Sequence, residues 1–429
     1  MTSLRSAPWR SPLTVAAGEA AAATAIDVAT RLRRVGSGDV VVEPGQAGLE
    51  SSAGVAVLFG QLNRMRPGDG WDRAAHLALA DATRNIESPW NAHPGLFGGL
   101  GGIAFAALSL SCGGTRYQQL LEKLEARIVP AALERGQELA RAPRGLPSRA
   151  FDAIVGLAGT AGYLLRRREN PAAVTALEAI LTGLVVLSEK ADDGPNWLTP
   201  YEKMMQGSPM AARFPEGVLN CGLSHGIPGP MVALSLALID GVSVPGQAEA
   251  IERSARWLIE NRADDGWGLN WPSGVSPLKR PVNPAQSAWC YGSPGVARAL
   301  WLAGSAVRDE KLQALALEAM SAVYRRPWSV RMIGSSPGLC HGIAGLLQIT
   351  LRFGYDTADP MFDSEAAALT DRLLSIYQPE RPLGYFAVEG GGVLVDRPGL
   401  LDGAAGSALA LLAAATDLDP DWDRLLLLA

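Results

Sequence analysis

Two kinds of apolar run alternate along this chain. The first is apolar on nearly every side, as in Gly295-Val-Ala-Arg-Ala-Leu-Trp-Leu and Gly406-Ser-Ala-Leu-Ala-Leu-Leu. A helix without a polar face is buried on both sides. The second is amphipathic. Leu120, Leu124 and Ile128 fall on one helical stripe, as do Val174, Leu177, Leu181 and Leu184, and Leu369, Leu373 and Ile376, the last with Glu365 and Arg372 nearby. Buried helices alternating with amphipathic ones predict an all-α protein in two layers, inner and outer.

A repeated turn precedes the buried runs. Six segments share Gly-x-x-Gly, beginning at Gly99, Gly156, Gly226, Gly292, Gly342 and Gly403, and a seventh copy, Ser51-Ser52-Ala53-Gly54, has Ser in place of the first glycine. Several carry an upstream Gly-Leu: Gly48-Leu49, Gly95-Leu96, Gly222-Leu223, Gly338-Leu339 and Gly399-Leu400. Successive copies lie between 48 and 70 residues apart, room for two helices and their loops. The expected architecture is a helical barrel with the turns gathered at one rim. Glycine there allows positive φ and close backbone approach. Free N–H groups at the starts of the inner helices are expected to favour an anion or thiolate.

Strand signals are few. Gly384–Val388 and Val393–Val395 predict a small hairpin, and the loops holding Trp197, Trp267 and Trp271 among Gly, Pro and Asn are assigned to a substrate-contacting surface. Arg5 and Arg10 before the apolar stretch Val15–Ile26 resemble a signal peptide, but Glu19 interrupts that stretch and Asp27 follows it, so a helix of the folded protein is expected. No uninterrupted apolar run approaches the roughly 20 residues of a membrane span. The net charge of −5 argues against nucleic acid as a partner. Four cysteines in 429 residues make no disulfide framework, which points to a reduced, cytoplasmic protein. Without a linker to divide it, the chain is expected to form one domain over 1–429, with 1–45 an N-terminal helical segment.

Zinc prefers Cys and His in a tetrahedral site, and a catalytic site keeps one position open. Cys290 and the adjacent pair Cys340-His341 supply three such ligands on consecutive turns of the repeat. A lone cysteine is commonly just a small buried hydrophobe, so it is the matching placement that marks these two. Cys112 and Cys221 lack such neighbours and read as structural. His225 occupies in the fourth turn the position of His341 in the sixth. Near-neutral titration suits it to acid/base work, and a hydrogen-bonded structural role is the plainer alternative. His76 and His93 fit no such pattern. Asp152, at the start of the third turn, and Asp402, before Gly403, fit turn and cap chemistry. Tyr291 follows Cys290 and either donates a hydrogen bond or packs.

Gly-Leu-Ser-His225-Gly-Ile-Pro-Gly, Trp289-Cys290-Tyr291-Gly292 and Leu339-Cys340-His341-Gly342 together resemble the three signature motifs of the lanthionine synthetase C-like (LanC-like) cyclases. The resemblance runs from about Gly48 to the C-terminus. It implies an α/α toroid of seven helical hairpins and one zinc ion on Cys290, Cys340 and His341. It implies His225 and Asp152 as acid/base residues, with Tyr291 as a neighbour in the site. The implied activity closes (methyl)lanthionine thioether rings, by adding cysteine thiols of a dehydrated precursor peptide to dehydroalanine or dehydrobutyrine. A dehydratase and an exporter are the implied partners, with membrane association only through them. One position departs from the pattern: many members carry Arg four residues before the first zinc cysteine, and this chain has Gln286, with Arg280 nearby in sequence.

Three other readings use the same residues. A zinc hydrolase would attack with metal-bound water, which two thiolate ligands disfavour by damping Lewis acidity. Another zinc-dependent thiol-activating transferase, such as a prenyl transferase, would share the chemistry but not the substrate. A non-catalytic scaffold would bind precursor peptide without consuming its thiols.

Overall fold

Every one of the seven turns leads into a helix. The computed structural model describes residues 8–36, 49–84, 93–191, 194–331, 333–334 and 336–429. Arg5, Gly48 and residues 1–7 and 37–45 of the N-terminal segment lie outside the described residues. The helices are α1 (Val15–Gly36), α2 (Ser52–Met65), α3 (Trp71–Thr83), α4 (Leu100–Ser109), α5 (Gln118–Arg141), α6 (Leu157–Leu164), α7 (Pro171–Leu187), α8 (Pro209–Arg213), α9 (Pro228–Ile239), α10 (Gln247–Glu260), α11 (Ser293–Val307), α12 (Glu310–Arg325), α13 (Trp328–Arg331), α14 (Ile343–Thr357), α15 (Pro360–Ser375) and α16 (Ala404–Ala415). The seven that follow the repeated turn are α2, α4, α6, α9, α11, α14 and α16.

These seven are the buried helices. All of α6 is buried, as are Ala404–Ala414 of α16 and Pro228–Ala237 of α9. The helices between them, such as α10, α12 and α15, bury one stripe only. On α15 that stripe is Phe362, Ala366, Leu369, Thr370 and Leu373. Each fully buried Leu stabilises the fold by about 1.5–3 kcal/mol, and alanine and glycine let the buried helices pack closely. The chain divides into two compact units, Met1–Glu125 with Ile333–Asp423 and Ala126–Met332 with Arg424–Ala429. In the first, α14, α16, α2 and α4 lie side by side in that order, with α15 on α14, α3 on α2 and α1 on α16. In the second, α6, α9 and α11 are neighbours, backed by α7, α10 and α12. The N-terminal helix therefore serves as the outer partner of the last buried helix. Trp9 Nε1 donates to the Ala413 carbonyl (2.9 Å) and Ser11 Oγ to that of Ala414 (2.6 Å).

The two kinds of helix begin differently. Three outer helices use side-chain caps, Asn170 for α7, Asp309 for α12 and Asp359 for α15, while α3 and α10 start from a left-handed glycine. None of the seven buried helices has a side-chain cap. In six of them the first N–H groups instead reach back to turn carbonyls. Leu100 donates to His93, Ala158 to Phe151, Ile227 to Asn220, Gly295 to Ala288, Ile343 to Ser336 and Ala404 to Arg397. This corrects the expectation of free N–H groups. The turn curls over the helix end and satisfies the donors itself, as a buried helix start requires.

That curl explains the glycines. A Cβ at Gly54, Gly102, Gly295, Gly345 or Gly406 would collide with the carbonyl oxygen of Leu49, Leu96, Trp289, Leu339 or Leu400 respectively. Close approach is the requirement. Gly99, Gly156, Gly342 and Gly403 all have negative φ, and of the first glycines only Gly292, at φ +90°, needs left-handed freedom as well.

The expected hairpin is present as β5 (Ala387–Val388) paired antiparallel with β6 (Leu394–Val395). Two further short pairs carry no strong strand signal: β1 (Lys190–Ala191) with β2 (Gly194–Pro195), and β3 (Leu219–Asn220) with β4 (Gly274–Val275). Among the described residues no helix is long and apolar enough to cross a membrane.

Gly345→Ala should force the Leu339 carbonyl, and with it Cys340 and His341, away from the helix, and cost about 2–3 kcal/mol in denaturant unfolding. Gly266→Ala, where a Cβ meets nothing within 4 Å, is the control and should stay within about 0.5 kcal/mol of the parent.

Candidate metal centre

The turns place chemistry at two positions of the repeat. The residue just before the first glycine (or Ser51) is Glu50, His225, Tyr291, His341 or Asp402 in five of the seven copies. The residue before that is Cys290 in the fifth copy and Cys340 in the sixth. Asp152 stands at the position where other copies have the glycine of Gly-Leu, namely Gly95, Gly222, Gly338 and Gly399.

Asp152 is fully buried, and its Oδ1 accepts from the backbone N–H groups of Ile154 (3.1 Å), Val155 (2.9 Å) and Gly156 (2.8 Å). Its Oδ2 lies 2.6 Å from Nδ1 of His225, whose side chain is 40% exposed. The capping role read from sequence is thus real, but it occupies one oxygen only. The other oxygen faces Nδ1, which favours the tautomer with Nδ1–H toward Asp152 and leaves Nε2 turned away from the carboxylate. Neighbouring turns hold this pair in place. Ala153 N–H donates to the Ser224 carbonyl (3.0 Å) and Ser224 Oγ to the Cys290 carbonyl (3.5 Å). Gly222 packs directly on that carbonyl and on the Tyr291 ring. Asn220 Nδ2 donates to Tyr291 Oη (3.3 Å), a contact that depends on the pairing of β3 with β4.

The ligand atoms of Cys290, Cys340 and His341 all lie within 4.8 Å of one another. The three form a cluster able to coordinate a metal ion. Cys290 is buried, while Cys340 and His341 are half-buried. The N–H groups of Leu339 (2.7 Å) and Cys340 (2.9 Å) both donate to the Leu401 carbonyl. Gln286 Nε2 sits 3.4 Å from the Cys290 sulfur. Asp402 Oδ1 is 3.4 Å from His341 Nδ1, a partner for the ring that sequence reading assigned only to the turn. Burial pushes the Asp402 carboxyl above its usual range, with His341 and Arg397 pulling the other way. Glu50 was not anticipated at all. It accepts from Leu401 N–H (2.7 Å), and burial, reinforced by nearby Asp402, pushes its carboxyl up to about 7. The repeat register was the signal available for both acids, because each stands where His225 and His341 stand.

The remaining candidates are structural. Burial pushes the Cys221 thiol far up, so it stays protonated. Cys112 is exposed and far in sequence from the cluster. His76 pairs with Tyr117 (3.2 Å), and His93 accepts from Gly95 N–H (3.2 Å). The tryptophan surface is a correction. Trp271 is fully buried with Nε1 donating to the Leu258 carbonyl (2.8 Å), and Trp197 is buried edge-on to Trp257. Both rings bury a large apolar area, and Trp271 also satisfies its N–H, which decides for the core. Trp267 alone is half-buried.

Fold and site define a helical-repeat protein with a Cys/Cys/His cluster able to hold a metal ion and a half-exposed histidine paired with a buried aspartate. Residues 49–427 match the family described as lanthionine synthetase C-like protein, and the chain belongs to that family. It is 24% identical over 312 residues to the nisin biosynthesis protein NisC of Lactococcus lactis subsp. lactis, across 70% of this chain and 72% of that protein. Its fold is similar to that of nisin cyclase, with a TM-score of 0.75, 22% identity, and 90% of this chain and 92% of the other covered.

Glu50 makes a pH prediction. Its folded-state carboxyl lies above the ordinary value of 4.5, so its ionisation opposes folding. Stability from this group is intact below pH 4.5 and is lost as pH rises toward about 7. Glu50→Gln should flatten that decline and be more stable than the parent at pH 8, measured by thermal unfolding at matched ionic strength.

Proposed function

We propose that this chain is a zinc-dependent lanthipeptide cyclase, which closes thioether rings in a dehydrated precursor peptide. The single observation that carries the reading is the convergence of Cys290, Cys340 and His341 within 4.8 Å. Two thiolates and an imidazole are a donor set for zinc rather than for a hard cation such as magnesium or calcium. Family membership agrees with the reading, and so does the NisC relative, whose name places it in nisin biosynthesis. On the same reading the paired inner and outer helices form one toroid of seven hairpins, and residues 1–429 form one domain. The peptide would arrive from a dehydratase in the cytoplasm and pass to an exporter.

In this mechanism Cys290, Cys340 and His341 would hold the zinc, with the substrate cysteine brought to the same site. Bound there, zinc would supply the Lewis acidity that keeps a substrate sulfur as thiolate near neutral pH. The protein's own residues account for the proton. His225 Nε2 accepts it as the substrate thiol ionises. The sulfur forms a bond to the β-carbon of the dehydro residue, and the π pair moves to the α-carbon as an enolate. His225 then returns the proton from Nε2 to the α-carbon. Asp152 keeps the imidazole in the required tautomer, while its three backbone donors hold the carboxylate in place. Tyr291, bonded to Asn220 and packed on Gly222, fixes the edge of the site beside Cys290.

Two variants separate the roles. Cys290→Ala should lose bound zinc and all ring closure, read by metal analysis and by loss of alkylatable thiols in dehydrated peptide. His225→Ala should keep stoichiometric zinc and slow ring closure by ~10²–10⁴-fold. Full cyclisation by Cys290→Ala would sink the zinc mechanism, and metal loss in His225→Ala would make that histidine a ligand. Peptide binding by the parent with no loss of thiols would favour a scaffold.

A further inference from the structure

We infer that Gln286 is a positioning residue for the metal ligand Cys290, its side-chain amide donating a neutral N–H···S hydrogen bond to the ligand sulfur. The inference rests on the zinc reading above and adds to it a residue outside the ligand set. The Nε2–Sγ distance of 3.4 Å is a normal hydrogen-bond length for sulfur. A thiolate only accepts, so the amide can face it only through its NH₂ group. Cys290 is 4% exposed, which leaves little water to replace that donor.

The backbone around Gln286 is fixed on every side. Ala285 N–H donates to the Trp271 carbonyl (2.8 Å), and Ser287 N–H to that of Arg331 (2.8 Å). Both receiving residues are buried, and Arg331 is itself tied to the carbonyls of Arg326 (2.9 Å) and Tyr324 (3.0 Å). The Gln286 carbonyl lies against the α-carbon of Gly292, so closely that no side chain fits there. The segment Gln286–Gly292 is thus a closed loop with Cys290 inside it. The positive φ of Gly292 shapes the loop, and the amide spans it to reach the sulfur.

The chemical consequence is a division of charge. A ligand sulfur that accepts an N–H bond donates less electron density to its metal. The metal then keeps more Lewis acidity for the fourth position, where the substrate sulfur binds. Because the donor is neutral, it does this without adding a cation to the site.

The test uses the full-length protein and needs no peptide. Zinc affinity is measured by chelator competition, and the thiolate-to-metal charge-transfer band is recorded after replacing zinc with cobalt(II). Gln286→Leu should weaken zinc binding ~10-fold or more and move the cobalt band to lower energy, because the unrelieved sulfur holds its electrons less tightly. Gln286→Glu should weaken binding further, since a carboxylate would face a thiolate. Gln286→Arg restores a donor and should stay near the parent in affinity. Leu and Glu variants indistinguishable from the parent in both readouts would overturn the inference. Should the Leu variant fail to fold by circular dichroism, the Glu and Arg variants decide it: Arg retaining and Glu losing affinity supports it, and equal affinities overturn it. A parent protein that binds no metal would overturn the zinc reading and this inference with it. A parent that binds metal but closes no ring would overturn the cyclase reading alone.

Discussion

The structure depends on one close contact made many times, that of a turn carbonyl with a helical glycine. In six of the seven copies the turn folds back over the first turn of the buried helix and supplies the acceptors that a side-chain cap would otherwise provide. The second glycine makes room for it. The same glycines also link neighbouring turns, through leucine side chains. Leu49 packs against Gly102, Leu223 against Gly295, Leu339 against Gly406, and Leu400 against Gly54. Each leucine therefore covers the glycine of the next repeat, and a change in one turn is felt in its neighbour. Backbone held this tightly is a suitable base for ligands, since it fixes where Cys290, Cys340 and His341 can go.

The polar groups around the cluster show the same economy. Asp152 spends one oxygen on its own turn and the other on His225. Asp402 faces His341, and the Leu401 carbonyl beside it receives the N–H groups of Leu339 and Cys340. Gln286 reaches the Cys290 sulfur from inside a closed loop. In each case a polar side chain fixed by its turn or loop faces a group that can bind metal or move a proton. This is why reading Asp152 as a turn residue was correct in part and incomplete in function.

The errors in the sequence reading have a common cause. Trp197 and Trp271 looked exposed because Gly, Pro and Asn surround them, yet neighbouring helices supply Trp257 and the Leu258 carbonyl as partners. The buried helix starts looked rich in free donors because nothing in the sequence shows a turn curling back on itself. Of the two uses of glycine that were expected, close approach holds at most turns and positive φ only at Gly292 among the first glycines. Each mistake concerns what lies across space from a residue, which local pattern does not encode.

The sequence by itself determined the repeat, its register, the alternation of buried and amphipathic helices, and the residue types offered at each turn. These are periodic or local properties, set by side-chain volume, polarity and the requirements of glycine. Tertiary structure decided which offered groups meet. Asp152 reaches His225 across 73 residues, the N-terminal helix pairs with α16 through Trp9 and Ala413 across 404, and two cysteines and a histidine converge within 4.8 Å. It also decided that Cys221, in the same motif as His225, stays out of the chemistry, because full burial keeps its thiol protonated. Cys290 and Cys340 differ from Cys221 by three places of register in the turn, and it is the two nearer the first glycine that enter the cluster.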